Sequence, residues 1–408
     1  MIDVKFIREN PEKIKEICRK RNMECDVDRF NEEDLKFRKA KLKNDELNAL
    51  KNRLNGKENA EKIKNIKKEI KENAEKMKDA DEKRKKIWYK MPNLLSEKVP
   101  YGITDKDNAE IFRTEIKYPE FIPEMHDEIG KKLGILDMKK GAQVAGKGFY
   151  YWKGAGAILM QALINYGINF LIQKNFIPMF TPIMTIKDTL FGTGYHPFFE
   201  EESYKIENEK LYLIGTSEQT LIAYHMNETL REKDMPKLYT AYTPCFRTEA
   251  GAYGKENRGA FRVHQFNKVE QIAFTVPEES EKYHMMFLEN VKEFIDSLRI
   301  PYRIVNVCSG DLGAPAYLKY DVEAWFPGFG DFRETHSASN MWDYQARRMN
   351  IKYLKNNKLI YPHTVNSTLV TDRLLLAIIE NYQKKDGNIE IPEVLHTYTG
   401  GLKIIKQC

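Results

Sequence analysis

Apolar side chains in the N-terminal part of the chain recur at the spacing of a helix that packs along one stripe. They lie three or four residues apart at Leu47, Leu50 and Leu54, and after Asn55-Gly56 the stripe resumes through Ile63, Ile66, Ile70, Met77, Arg84 and Ile87 or Trp88. A period of about 3.5 residues is that of a coiled coil, and Asn-Gly favours a turn. We predict an antiparallel α-helical coiled-coil hairpin over residues 32–90.

Short sequence motifs on either side mark the limits of this hairpin. Asn10-Pro11 supplies a cap and a first-turn proline for a helix over residues 9–22. On the other side, Met91-Pro92-Asn93 and Pro100-Tyr101-Gly102 favour neither helix nor strand. We expect a domain boundary near residue 100, which divides the chain into residues 1–100 and 101–408.

From about residue 105 onward, short apolar runs rich in aromatic residues replace the helical pattern. A helix is predicted over residues 157–174, and strand-like runs follow at residues 176–183, 211–214, 238–242, 260–274, 302–307 and 321–326. Most of these runs are spaced as hairpins, which indicates an antiparallel sheet with helices against it. The second domain is therefore predicted to be α+β.

The most apolar stretch, residues 155–172, is interrupted by Gln161, Asn165 and Asn169. These residues are four apart and would form a polar stripe on a helix, so we predict a buried or interface helix and no membrane span. The first residues already alternate charged and apolar side chains, which excludes an apolar signal region. We therefore expect a cytoplasmic protein.

Cysteine usage and short motifs exclude several kinds of site. The five cysteines, Cys18, Cys25, Cys245, Cys308 and Cys408, form no Cys-x-x-Cys pair. This pattern argues against a disulfide framework or a zinc site and fits a reducing compartment. Glycine-rich dinucleotide and P-loop motifs are also absent from the sequence.

Positive charge is concentrated in the predicted hairpin. The chain of 408 residues has 66 Lys and Arg against 60 Asp and Glu, a net charge of +6. Residues 31–90 alone have 20 basic and 13 acidic residues, an excess of seven, so the rest is close to neutral. The basic segment is either a solvated coil surface or a binding surface for a polyanion.

The strongest chemical candidate lies in the run 244–270, where two strands are joined by a glycine-rich segment containing Lys255 and Arg258. On neighbouring strands, Arg247, Glu249 and Arg262 could share one face with Glu270. Arginine binds phosphate or carboxylate through a planar fork, and Phe266 could stack on a base. Cross-strand ion pairs are the alternative interpretation.

Three shorter groups are ambiguous by themselves. Thr216-Ser217-Glu218 could bind a small polar ligand or cap a helix. Glu334 and Ser337 could hold Mg²⁺ or be ordinary surface residues. Asn366-Ser367-Thr368, followed by Arg373, could be an ordinary helix start. The histidines His264, His336 and His363 have no ligand spacing, and we interpret each as a hydrogen-bonded structural histidine.

The order of these strings closely resembles that of seryl-tRNA synthetases, which are class II aminoacyl-tRNA synthetases. The strings that match are the opening residues 1–11, Met91-Pro92-Asn93-Leu94, residues 244–251, residues 264–270 and residues 340–348. Residues 308–313 and 366–368 look most like the archaeal branch. The resemblance runs from end to end and includes the N-terminal coiled coil.

This resemblance implies an antiparallel sheet flanked by helices and a homodimer. Motif 1 would cover residues 157–182, motif 2 residues 240–271 and motif 3 residues 364–382. The reaction implied is a serine–tRNA ligase reaction, in which ATP and L-serine give seryl-adenylate and the seryl group passes to the 3′ adenosine of tRNA(Ser), with tRNA(Sec) as a further candidate. The basic coil would bind the long variable arm of the tRNA.

The resemblance also implies roles for single residues. Arg247, Glu334 and Arg373 would be catalytic, and Glu334 and Ser337 would bind Mg²⁺. The residues implied to bind serine are Thr216, Ser217, Glu218, Arg247, Glu270, Asn366 and Thr368. The residues implied to bind ATP are Arg247, Thr248, Glu249, Arg262, Val263, Phe266, Glu334, Thr335, His336, Ser337 and Arg373.

The sequence departs from the family pattern in motif 3 and beside the magnesium site. Asn366 and Arg373 are seven residues apart where the family usually has eight, Asp372 replaces a small or hydroxyl residue, and His336 replaces a small one. Two alternatives stay open. One is a paralogue that binds tRNA without charging it, and the other is an amino acid:carrier-protein ligase, which would lack the coil.

Overall fold

The computed structural model describes residues 1–54, 59–250 and 258–406. The predicted Asn55-Gly56 turn and the glycine-rich segment containing Lys255 lie outside the described residues. Contacts divide the chain into two units, Met1–Leu94 and Leu95–Cys408. The expectation of a boundary near residue 100 stays a prediction.

Four helices make up the described part of the first unit: α1 (Val4–Glu9), α2 (Pro11–Lys20), α3 (Val27–Arg53) and α4 (Ala60–Trp88). Their base packs around Ile7, Ile14, Phe30 and Met91, which are all fully buried. The single helix predicted over residues 9–22 begins after a break at Asn10, which caps α1.

The long helices α3 and α4 are antiparallel, as the contacts of Asp34 with Arg84 and of Ala40 with Asn73 require. Polar contacts join the two helices. Asp34 is 1% exposed, and its Oδ1 accepts a hydrogen bond from Arg84 Nη1 at 2.8 Å. Leu50, predicted to lie in the seam, is 48% exposed, so that part of the prediction is wrong.

Cys18 and Cys25 are joined by a disulfide in this unit, with Cα atoms 6.2 Å apart. The cysteine pattern in the sequence argues against a disulfide framework, and this pair shows that prediction to be wrong for Cys18 and Cys25. The turn after α2 brings the two residues together, and a seven-residue separation carries no signature of such a contact.

The second unit is built on an eight-stranded sheet with strand order β1-β10-β11-β12-β15-β9-β8-β4. All neighbours in this sheet are antiparallel except β4 and β8. This arrangement confirms the predicted antiparallel sheet with flanking helices. The strands of the sheet are β1 (Ala109–Arg113), β4 (Ile177–Pro178), β8 (Lys237–Phe246), β9 (Gln265–Thr275), β10 (Tyr302–Asn306), β11 (Leu318–Phe326), β12 (Asp331–Trp342) and β15 (His363–Thr371).

Smaller sheets and eight helices complete the described part of this unit. The remaining strands are β2 (Leu136–Asp137), β3 (Tyr151–Trp152), β5 (Met184–Ile186), β6 (Leu211–Leu213), β7 (Thr229–Arg231), β13 (Lys352–Lys355), β14 (Lys358–Ile360), β16 (Ile389–Glu390) and β17 (Ile404–Ile405). The helices are α5 (His126–Lys132), α6 (Met138–Ala145), α7 (Ala155–Gln173), α8 (Lys187–Thr193), α9 (Ser217–Ala223), α10 (Ser280–Ser297), α11 (Tyr344–Arg348) and α12 (Asp372–Asn381).

Helix α7 is long and apolar enough to cross a membrane by composition alone. Its residues Leu159, Leu163 and Leu171 are fully buried in the main core, which is where a core helix of a soluble protein places them. The predicted polar residues Gln161 and Asn165 are exposed and bonded to each other at 3.2 Å. The interpretation as a buried or interface helix agrees with this packing.

Three boundaries differ from the predictions in ways that matter for the site. Strand β9 begins at Gln265, so residues 260–264 are not part of it. Only Ile177 and Pro178 of the run 176–183 form a strand. Asn366, Ser367 and Thr368 lie inside β15 instead of at a helix start, and the helix begins at Asp372 with Thr371 as its cap.

The segment from Asn366 to Arg373 contains an irregularity in the pairing of β15 with β9. Thr368 lies opposite Glu270 and Thr371 opposite Lys268, and the register shifts between Thr368 and Val370. A bulge of this kind changes the number of residues on one strand while pairing continues on both sides.

Candidate active site

An open cavity of about 770 Å³, including the solvent space at its mouth, lies where β8 ends and β9 begins, beside β12 and the start of α12. It brings together most of the residues predicted to bind ATP, namely Arg247, Glu249, Arg262, Val263, Phe266, Glu334, Thr335, His336, Ser337 and Arg373. Residues that the sequence analysis assigned to no role also line it: Ala260, Phe261, Lys268, Thr371 and Asp372.

Arg247 lies at the end of β8, where the chain leaves the sheet. Its backbone N–H donates to the carbonyl of His264 at 3.0 Å, which closes the base of the segment between the two strands. Its guanidinium lies 5.3 Å from the centre of the Phe266 ring and donates to the carbonyl of Gly215 at 3.4 Å. The cation is thereby held between the cavity and the loop before α9.

Glu249 and Arg262 form an ion pair across the mouth of this segment. Glu249 has a φ of 51°, in the left-handed region that residues with a side chain rarely adopt. Such a conformation costs on the order of 1–3 kcal/mol and persists where the surroundings enforce it, often at functional sites. The strain marks Glu249 as a residue whose direction is fixed by the local fold.

Glu334 and Arg373 face each other on the opposite wall. Arg373 Nη1 lies 3.2 Å from Glu334 Oε2, and the guanidinium is 4.5 Å from the centre of the Phe261 ring. Burial alone would raise the pKa of Glu334, but the cations of Lys319, Arg373 and Arg247 outweigh it and hold the pKa at about 2. Glu334 is therefore an anion at neutral pH.

Asp372 precedes Arg373 and points into the protein. Its Oδ1 accepts hydrogen bonds from the Tyr150 hydroxyl at 2.6 Å and from Trp152 Nε1 at 3.0 Å, and its Oδ2 accepts one from the backbone N–H of Asn267. The carboxylate thus ties the first turn of α12 to β3 and to the residue after Phe266. Asp372, which departs from the family pattern, is therefore a buried carboxylate with hydrogen-bond partners on both oxygens.

A second group of polar side chains, here named the acidic recess, adjoins the cavity at Arg247 and Lys268 and comprises the buried residues Thr216, Glu218, Glu270 and Asn366. Glu270 lies 2.6 Å from Lys268 Nζ, and Thr216 Oγ1 lies 3.4 Å from the Glu270 carboxylate. Asn366 Nδ2 donates to Glu218 Oε1 at 3.0 Å. Thr216 also caps α9 by accepting from the backbone N–H of Glu218, which confirms the capping interpretation, and the ligand-binding interpretation of the triplet stays a prediction.

The two carboxylates of the recess disfavour each other's charge. Burial raises the pKa of Glu218 to about 7, and the carboxylate of Glu270 adds to the rise. Burial also raises the pKa of Glu270, and the ammonium of Lys268 opposes that rise. The ammonium of Lys268 and the guanidinium of Arg247 both lie close to these carboxyl groups, so acidic and basic side chains alternate in the recess.

Some predicted site residues are engaged elsewhere. Thr248 Oγ1 donates to the carbonyl of Glu201 at 2.6 Å, and Ser217 is fully buried in the first turn of α9. His336 lines the cavity but donates through Nε2 to the carbonyl of Leu369 at 3.0 Å, and burial lowers its pKa to about 4. It is a neutral, hydrogen-bonded histidine, as interpreted from the sequence.

The sequence analysis missed several residues that build these sites. Lys268 is two residues before Glu270 on the same strand face, and that alternation could have revealed it. Phe261 directly precedes the predicted residue Arg262, whereas Tyr195 and Gln345 come from distant segments and nothing local in the sequence marks them. Among the described residues, no group of three or more His, Cys, Asp or Glu side chains is arranged to hold a metal ion.

Comparisons with known proteins agree with this architecture. The family of seryl-tRNA synthetase N-terminal domains matches residues 1–96, and the class II core domain of tRNA synthetases (G, H, P, S and T) matches residues 200–382. The serine–tRNA ligase of Dictyoglomus thermophilum is 44% identical over 98% of both chains. That of Pyrococcus abyssi is 41% identical over 99% of this chain and 98% of its own.

Two solved structures are similar over the whole chain. The seryl-tRNA synthetase of Pyrococcus horikoshii, complexed with ATP, has a TM-score of 0.94 at 38% identity and covers 100% of both chains. The cytoplasmic serine–tRNA ligase of Naegleria fowleri, in complex with AMP, has a TM-score of 0.91 at 35% identity and covers 100% of this chain and 99% of its own. Sequence and structure together show that the chain belongs to the seryl-tRNA synthetase family of class II aminoacyl-tRNA synthetases.

Proposed function

We propose that this chain is a serine–tRNA ligase that joins L-serine to ATP and passes the seryl group to the 3′ adenosine of tRNA(Ser). The observation that carries the proposal is the junction of two unlike sites at Arg247. The cationic cavity suits a nucleoside triphosphate, and the acidic recess suits an ammonium group. Similar family members were solved with ATP and AMP, which supports the assignment of the cavity.

In the first step, a carboxylate oxygen of serine attacks the α-phosphorus of ATP. A new P–O bond forms, the bond to the β-phosphate oxygen breaks, and pyrophosphate leaves. Arg247 grips the serine carboxylate and the α-phosphate together, because its guanidinium lies between the recess and the cavity. It reduces the repulsion between the two anions and stabilises the charge that develops on phosphorus.

The remaining cavity residues would orient the nucleotide. Glu249 accepts from the adenine amino group, Phe266 stacks against the ring and the backbone at Val263 runs alongside. Arg262 and Arg373 bind the outer phosphates in exchange for their pairing with Glu249 and Glu334. No covalent enzyme intermediate is needed, because positioning and charge stabilisation suffice.

The residues at Glu334 fit a magnesium ion that arrives with ATP. Mg²⁺ prefers oxygen ligands and is commonly held by one or two carboxylates together with substrate phosphates. The Glu334 carboxylate is ionised, and Ser337 lines the same wall of the cavity. When bound there, the ion would neutralise charge on the triphosphate.

The recess would select serine by its ammonium and hydroxyl groups. Glu218 and Glu270 hold the ammonium, and Thr216, Asn366 and Thr368 supply hydrogen-bonding groups nearby. Alanine would leave buried polar groups unpaired and is expected to be rejected strongly. Threonine adds one methyl group, which steric exclusion discriminates by only about 1–3 kcal/mol.

The basic hairpin would bind the tRNA. Lys36, Lys39, Lys43, Lys76 and Lys83 line one concave surface along α3 and α4. Contacts from such lysines go mainly to phosphates, so they read the shape of the RNA helix and release counterions on binding. We place the reaction in the cytoplasm, where tRNA and ATP meet.

A homodimer would form through the motif 1 region. Ile158 and Ile172 of α7 are 45% and 44% exposed, and Phe180, after the edge strand β4, is 99% exposed. The exposure of these large apolar side chains supports the proposal that this region is an interface. The oligomeric state would be read by light scattering after gel filtration.

Substitution of Glu270 tests whether the acidic recess binds serine. Glu270→Ala should lower kcat/KM for serine in ATP–pyrophosphate exchange by at least about 100-fold, because it removes a charged partner and leaves Lys268 buried without its anion. The wild-type enzyme should exchange with serine, weakly with threonine and hardly with alanine. Glu323→Ala, which breaks the ion pair with Arg303 outside the cavity, is the matched control. An unaltered rate for Glu270→Ala would refute the serine assignment.

The pH dependence of serine binding follows from Glu218. Its pKa of about 7 means that the carboxyl is neutral in acid and ionised above neutrality, and only the anion holds the ammonium. The KM for serine should therefore be flat near pH 8 and rise by up to about tenfold per pH unit below pH 7. Glu218→Gln should have a high KM without this rise. A wild-type KM that is constant from pH 8 to pH 5.5 would contradict the proposal.

The tRNA surface is tested by charge removal. The triple variant Lys39→Ala, Lys43→Ala and Lys76→Ala should weaken binding of tRNA(Ser) and reduce the slope of log K against log salt by about 2–3, because each lost phosphate contact contributes about 0.7–0.9. ATP–pyrophosphate exchange should not change. The charge-matched control replaces the exposed Lys139, Lys233 and Lys358 of the second unit. Equal salt slopes for both triple variants would rule out the hairpin as the binding surface.

A further inference from the structure

Gln345 lies in the short helix α11, fully buried behind the acidic recess. Its Nε2 donates to Glu218 Oε1 at 2.7 Å and to the carbonyl oxygen of Thr193 at 3.1 Å. Its Oε1 accepts from the hydroxyl of Thr364 at 2.6 Å. The amide therefore links three separate segments, and one of its partners is a residue of the recess.

The orientation of this amide is determined by its partners. A main-chain carbonyl oxygen can only accept, so the group that faces Thr193 must be the NH₂. The same NH₂ then faces Glu218, and the oxygen is left for the Thr364 hydroxyl. Reversing the amide would place oxygen against oxygen at two contacts.

The hydrogen bond from Gln345 helps to orient the carboxylate of Glu218. Its Oε1 accepts from two amides, Gln345 Nε2 and Asn366 Nδ2. Its Oε2 lies 3.3 Å from the Tyr195 hydroxyl and retains lone-pair capacity for a ligand. With Oε1 fixed, the plane and direction of the carboxylate are fixed as well.

We infer that Gln345 is a positioning residue for serine recognition, which holds one oxygen of Glu218 so that the other is directed at the α-ammonium of the substrate. The inference rests on the proposed role of Glu218 in binding serine. Glu270 carries a like charge nearby, and without the anchor the two carboxylates would turn apart. A polar network in which every buried member is satisfied keeps that geometry rigid.

The test compares Gln345→Met with wild type in ATP–pyrophosphate exchange and in direct binding of ATP. Methionine preserves the length of the side chain but offers no strong donor. The KM for serine should rise at least about tenfold, the loss expected for one hydrogen bond to a charged group, while kcat stays within about twofold. The dissociation constant for ATP should also stay within about twofold.

A merely structural role would give another pattern, in which kcat falls with the fraction of folded enzyme and the KM for serine does not move. Gln383→Met is the matched control, because Gln383 is also buried, donates to the carbonyls of Glu124 and Glu380 and accepts from the backbone N–H of Glu124. It should lower thermal stability without changing the KM for serine.

Two more variants keep the inference testable if Gln345→Met does not fold. Thr364→Val removes only the hydroxyl that holds the amide, and it should raise the KM for serine by a smaller factor than Gln345→Met. Glu218→Gln, measured in parallel, distinguishes a failure of the inference about Gln345 from a failure of the proposed role of Glu218. If it raises the KM and neither network variant does, the inference about Gln345 is overturned. If none of the three raises it, the proposed role of Glu218 falls instead.

Discussion

Strand β15 hydrogen-bonds to β9 along one edge and to β12 along the other, and all nine of its residues are buried. A strand in this position has no access to water, so each polar side chain on it needs a partner within the protein. The Asn366 amide donates a hydrogen bond to Glu218, and the Thr364 hydroxyl donates one to Gln345. The arrangement of the acidic recess follows from satisfying this one strand.

The same pairing sets the distance between the two sites. Thr368 lies opposite Glu270 on β9, and Ser367 lies opposite Ala338 on β12, one residue from Ser337. The acidic Glu270 of the recess and the cavity residue Ser337 are thus attached to β9 and β12, the two strands that flank β15 in one sheet. Because the strands cannot slide without turning their side chains to the other face, the geometry is more rigid than a loop could provide.

How far the sequence predicts this molecule depends on the range of the contacts involved. The hairpin and the antiparallel sheet are encoded in local periodicity, and both were predicted from it. Arg247, Glu249 and Arg262 line one cavity because the paired strands β8 and β9 bring together the segments beyond their ends, whereas Glu270 of the same predicted group lies in the recess. Leu50 was misassigned because spacing alone does not distinguish a packed leucine from an exposed one. Gln345 and the partners of Asp372 were missed because their contacts cross more than 100 residues of chain.

The bulge between Thr368 and Val370 affects where related chains can differ in length. Upstream of it the strand register is held by the recess, and downstream the start of α12 is held by Asp372, so neither stretch can change length without displacing a functional group. The bulge is the point between them where one residue can be lost or gained while both flanks keep their pairing. Insertions and deletions in the lineage should therefore accumulate at this position, while the flanks change by substitution alone.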